Sequence, residues 1–239
     1  MKRREFLRSS GTIGLGILPA AAGLSAVSPA MAGDDADARP IVNGDPLKPP
    51  ARGKIRTAFA IAHHATVIDF TGPWEVFQDV LRSPFELYTV AASAEPVTAT
   101  GGLRIIPYYT VENAPKPHLV IVPAMMGDPT LLEWLTVVAP ETDVTMSVCT
   151  GAFQLGRAGL LDGLSATTHH QFYDDFAEEF PQVKLERGLR FVENRQIATA
   201  GGVTSGIDLA LRVVERYFGR NVAQTTAEYM EYTGTRWKV

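Results

Sequence analysis

Short apolar runs alternate with amphipathic stretches along most of the chain, and that alternation predicts its architecture. Ile55 to Ala62 and Phe85 to Ala92 have strand length, and Leu119 to Val122 is wholly apolar, as a strand buried on both faces must be. Val97 to Ile106, split by Gly101-Gly102, has the pattern of a hairpin, and a second hairpin is predicted across Asn194. Helices fall between the strands. Thr71-Gly72-Pro73 is expected to open one that runs to about Leu81, with the proline in the first turn, where a missing N–H costs nothing. Asp128-Pro129 caps the next. A short strand around Ala166 to Thr168 then leads to a helix from about Gln171 to Glu179, and two amphipathic helices, Thr204 to Phe218 and Asn221 to Tyr232, meet at Gly219. Such alternation implies an α/β fold, a mostly parallel sheet with helices on both faces, in which sites form at the carboxyl ends of the strands.

The first 53 residues break this pattern. Lys2, Arg3 and Arg4 precede an uncharged stretch from Ser9 to Pro29, and Ala30-Met31-Ala32 supplies a small-x-small cleavage signal. Residues 1–32 therefore read as a twin-arginine signal peptide cleaved near Ala32, which predicts a periplasmic or secreted protein and the twin-arginine translocation machinery as a partner during export. The short, Gly- and Ala-rich core argues against an uncleaved anchor. Residues 33–53 carry Asp, Pro, Gly and Lys without apolar periodicity and are expected to form a flexible lead-in to one domain over 54–239. Cleavage removes four basic side chains and one acidic, taking the formal net charge from −4 to −7. Nucleic acid is thus not an expected partner.

Cys149 is the only cysteine in the chain. The apolar run Val144-Thr145-Met146-Ser147-Val148 breaks there into Thr150-Gly151-Ala152-Phe153-Gln154-Leu155-Gly156, which reads as strand, sharp turn and helix start. A thiol on such a turn leaves the sheet edge and meets the unpaired N–H groups of the following helix, which favour the thiolate. An exported protein with one cysteine cannot close an internal disulfide, so this placement points to a nucleophile more than to a small buried hydrophobe.

Four segments, Asp69 to Phe77, Ser147 to Phe153, Gly159 to Gly163 with Ala166 to His169, and Gly202 to Leu211, together resemble the ThiJ/PfpI superfamily, and within it the isonitrile hydratase branch. The resemblance runs from about Ile55 to Tyr232. It implies a flavodoxin-like three-layer sandwich, a homodimer with the cysteine near the subunit contact, and a carboxyl, here Asp69, reaching Cys149 from the loop after the first strand. Relatives also include glyoxalases, deglycases, proteases and the ligand-sensing halves of regulators. Those regulators carry a further DNA-binding region, so with the chain ending at Val239 a transcription factor is not expected.

The resemblance implies that Cys149 attacks a small-molecule substrate, an isonitrile, while Asp69 moves protons; Asp69 could alternatively be a helix N-terminal residue that satisfies backbone amides. Thr150 offers an N–H and a hydroxyl near the sulfur, or simply a helix cap, and Gly151 follows it. Where relatives usually carry Gly-Gly to bind developing negative charge, this chain has Pro123-Ala124-Met125-Met126-Gly127, leaving Ala124 and Met125 to supply N–H groups. Met125 and Met126 could also line an apolar pocket. His169 falls where relatives place a histidine near the cysteine; His170 reads as exposed. His63 and His64 close the first strand, but no zinc-ligand spacing links them to Cys149, and no metal is expected. Trp74 could wall the pocket, whereas Phe77, three residues on, reads as core. Gly201-Gly202 lacks a nucleotide fingerprint, so no cofactor is expected either.

Overall fold

The structure, a computed structural model, describes residues 40–239, so the expected export signal and the first part of the lead-in lie outside the described residues. Along the chain come β1 (Ile41–Asn43), β2 (Ile55–Ala60), α1 (Val67–Gln78), β3 (Phe85–Ala91), β4 (Val97–Thr98), β5 (Arg104–Ile105), β6 (Tyr109–Thr110) and β7 (Leu119–Val122). Then follow α2 (Pro129–Val138), β8 (Val144–Val148), α3 (Gly151–Arg157), β9 (Ser165–Ala166), α4 (Tyr173–Glu179), β10 (Lys184–Leu185), β11 (Phe191–Asn194), β12 (Ile197–Ala200), α5 (Ser205–Phe218) and α6 (Arg220–Tyr229). Eight strands form one sheet in the order β1-β11-β12-β8-β7-β2-β3-β6, and only the β11–β12 pairing is antiparallel.

Alternation along the buried strands divides the interior in two. On β7, Leu119 and Ile121 face a cluster with Phe70, Val76 and Phe77 of α1 and Leu209 and Val213 of α5. Val120 and Val122 point the other way, into a cluster with Leu131 and Leu135 of α2, Ala152 and Leu155 of α3 and Phe176 of α4. A sheet apolar on both faces needs helices on both, and the result is the expected flavodoxin-like three-layer sandwich.

Two boundaries differ from expectation. Helix α1 begins at Val67, two elements of outside support holding its first turn: the Thr66 N–H donates to Ala124 O at 2.8 Å and the Val67 N–H to Thr100 Oγ1 at 3.2 Å. Pro73 therefore lies inside the helix, where it withholds the N–H that would bond the Asp69 carbonyl. The lead-in, for its part, already pairs with the sheet at Ile41. Arg216 on α5 explains this, since it donates to Asp45 O at 2.9 Å and to buried Glu193 of β11 at 2.8 Å, while Leu47 N–H returns a bond to Arg216 O at 2.8 Å. Gly44 passes so close that a Cβ there would stand 2.4 Å from Glu193 Oε1.

Candidate active site

Cys149 follows the last residue of β8 at the carboxyl edge of the sheet, with φ of 59°. A non-glycine residue takes that left-handed conformation only when its surroundings hold it there. Here the backbone N–H donates to Gly201 O at 2.8 Å, and the carbonyl accepts from Thr168 Oγ1 at 2.9 Å. Gly151 then packs α3 directly against the end of β7: a Cβ on it would lie 2.1 Å from Val122 O. Its role is close approach, since it is absent from the positive-φ glycines.

Asp69 reaches this elbow from the first turn of α1, not from a loop, because α1 starts earlier than expected. Its carboxyl is fully buried, and Oδ2 accepts from the Ala124 N–H at 3.2 Å while Oδ1 has no hydrogen-bond partner. The Asp69 carboxyl thus satisfies a backbone amide, as the helix-terminus reading expected, but that amide belongs to the loop after β7. With the Thr66 N–H on its carbonyl and Asp69 on its N–H, Ala124 is clamped from both sides. Its N–H is consequently committed to Asp69.

The thiol and the carboxyl interact, and their protonation is shared. Burial is the largest cause raising Asp69 to about 7, against the pull of the Ala124 N–H and the Cys149 thiol. Burial also leads in pushing Cys149 up to about 11, seconded by the Asp69 carboxylate, while the N–H groups of Thr150 and Val203 favour the thiolate. The helix-start N–H groups expected to lower the thiol are therefore present but outweighed. As a pair, the two groups hold two protons below about pH 7 and one from there to about pH 11.

Val203 had no expected role. It lies on the turn between β12 and α5, sends its N–H to the Cys149 sulfur and has φ of 55°, an outlier for a β-branched residue. Gly201-Gly202 just before it was the one sequence signal of a tight backbone there. Thr150 faces the sulfur with its N–H, and its side chain makes no helix cap. His169 lies against Gly202, on which a Cβ would stand 2.4 Å from its ring, and accepts from the Gln171 N–H at 3.3 Å. Burial and neighbouring His170 hold it below the usual imidazole range. Exposed His170 stacks on it at 4.4 Å.

The other candidates disperse. Trp74 packs on Phe59 at 4.8 Å within the helix–sheet core, as Phe77 does on Phe85. His63 accepts from the Thr98 N–H at 3.2 Å, so its ring belongs to the β4–β5 hairpin. Met126 is exposed. Met125 instead lines a cavity of about 200 Å³ with Thr150, Phe153, Gln154, Arg157 and Phe172.

Known proteins are similar to this chain in sequence and fold. The model of the DJ-1/PfpI family matches residues 55–216. Isonitrile hydratase of Pseudomonas putida is 30% identical over 184 residues, which cover 74% of this chain and 78% of the hydratase. The HTH-type transcriptional regulator GbdR of Pseudomonas aeruginosa is 29% identical over 160 residues, 65% of this chain and 43% of the regulator. The crystal structure of a THiJ/PfpI family protein from Pseudomonas syringae superposes with a TM-score of 0.69 at 29% identity, covering 83% of this chain and 84% of that one.

Proposed function

Since the chain belongs to the DJ-1/PfpI family, we propose that it is an exported, cysteine-dependent hydratase that converts an isonitrile to an N-substituted formamide. The observation that carries this reading is the buried Asp69–Cys149 pair with one shared proton and a free Oδ1; the 30% identity to isonitrile hydratase supports it.

The steps follow from that proton. As the sulfur attacks, the pair delivers its proton to the isonitrile carbon, a C–S bond forms, and a neutral thioimidate stands beside the Asp69 carboxylate. Asp69 takes a proton from water as the oxygen bonds to carbon, then passes it to nitrogen. Breaking the C–S bond releases the thiolate, the hydroxyl proton returns to Asp69, and the formamide leaves with the pair in its starting state. Oδ2 stays anchored by Ala124 while Oδ1 carries the proton. Since the Ala124 N–H is occupied, the Thr150 and Val203 N–H groups stabilise the sulfur.

Formamide production from a small isonitrile panel, followed by NMR, tests this. Cys149→Ala and Asp69→Asn should each remove nearly all turnover, and their losses should not add, because the two groups act as a unit. An Asp69→Asn enzyme within about threefold of wild type would exclude the proton-transfer role, which is typically worth about a hundredfold or more. The regulator among the relatives favours a second reading, a non-catalytic ligand-binding protein. It takes over if isonitriles raise the melting temperature without yielding formamide.

A further inference from the structure

The cavity beside Thr150 contains a polar group that the mechanism above does not use. Gln154, on α3, is 2% exposed; its Nε2 donates to Met125 O at 3.4 Å, which orients the amide and leaves Oε1 buried with no hydrogen-bond partner. A buried acceptor without a donor is costly, and a well-placed ligand donor recovers that cost. Gly127 keeps the space next to it clear, since a Cβ there would stand 3.6 Å from Oε1 and 3.9 Å from Arg157 Nη1.

The remaining walls define the ligand's shape. Phe153, Phe172 and Met125 are apolar, and Met125, unbranched and flexible, is the wall best able to shift and open a way to the amide. Arg157 is already matched by Glu179 through bonds of 2.7 and 3.1 Å, so its charge does not call for an anion. A dry engineered cavity of about 150 Å³ takes one benzene ring. The volume here, about 200 Å³, suits one ring with one polar atom. Gln154 is the fourth residue of α3, and the cavity it lines reaches Thr150, the neighbour of Cys149, without taking in Cys149 itself, so a group seated there would be attached to the reacting carbon rather than be that carbon.

We infer that this cavity receives the substrate's substituent, and that Gln154 selects a ring bearing a hydrogen-bond donor, such as a phenolic hydroxyl, opposite the reacting group. The identity of the reacting group rests on the isonitrile reading; the donor selection rests on the cavity.

Two sets of probes separate them. Wild type, Gln154→Leu and Gln154→Met are compared on 4-hydroxyphenyl isocyanide and phenyl isocyanide for kcat/KM, and on phenol and toluene for binding by NMR, with circular dichroism to establish folding. The hydroxyl preference of wild type should fall about tenfold in both variants, and phenol affinity should fall with it while toluene affinity does not. Unchanged ratios and unchanged phenol affinity in folded variants overturn the assignment. If wild type turns over neither isonitrile, the hydratase reading fails and phenol binding alone decides the cavity. Should both variants fail to fold, wild type binding toluene as tightly as phenol overturns the inference, and a clear phenol preference supports it.

Discussion

Burying the Asp69 carboxyl costs stability. The group titrates near 3.8 when free and at about 7 in the fold, so between those values the folded protein keeps a proton that the unfolded chain has lost. Stability from this group is therefore full in acid, declines as pH rises from about 4 to 7, and levels off above. Asp69→Asn keeps an acceptor for Ala124 and removes the buried charge. It should melt several degrees above wild type at pH 8, with the gap closing toward pH 5; an equal gap at both values, read by scanning calorimetry, would remove the carboxylate from the account. The same pairing governs alkylation. Iodoacetamide should react with wild-type Cys149 at a rate still rising beyond pH 9, where an ordinary thiol of pKa about 8.5 has levelled off, because its own proton is held to about 11. In Asp69→Asn the plateau should move to lower pH, and a wild-type plateau near 8.5 would show an uncoupled thiol.

The elbow works only because α3 can begin against β7. Gly151→Ala would press a methyl to 2.1 Å from Val122 O, a backbone atom that cannot give way, so the helix start must move and carry Cys149 with it. Loss of about 2–3 kcal/mol in urea unfolding, with formamide production falling further than stability alone explains, is the expected result. Ordinary stability in that variant would mean the approach is looser than described. Elements of this kind differ in how far the sequence discloses them. Leu119 to Val122, the Gly101-Gly102 hairpin, the Asp128 cap and the break at Gly219 each carry their own local signal, and the structure has them all. The start of α1 does not, because its first turn is held by Ala124 and Thr100, residues far along the chain. Strands of two or three residues, such as β1 and β6, are too short to show a period. The site divides the same way. Cys149 and Asp69 are legible by residue type and position, whereas Val203 and Gly201 contribute backbone atoms that every residue carries, and Gln154 matters only through a bond it lacks.

At the scale of the whole molecule, the export reading depends on Arg3 and Arg4. Replacing both with lysine should hold the precursor inside the cell; fractionation that finds the doubly substituted protein in the periplasm, processed near Ala32, would rule out the twin-arginine route. That route moves chains already folded, and cleavage near Ala32 would leave Ile41 to Asn43 in the mature protein. There the segment does what a short border strand does in other sheets. Without it, Phe191 to Asn194 would present an open row of N–H and C=O groups to any passing chain, a template for unwanted pairing. A chain beginning at Lys54 should keep the Cys149 elbow intact and still lose solubility, forming larger assemblies by light scattering than the chain beginning at Gly33. Equal scattering from the two would mean that β11 needs no cover. The stretch of sequence with the least pattern is thus the one that covers the edge at which other chains would pair.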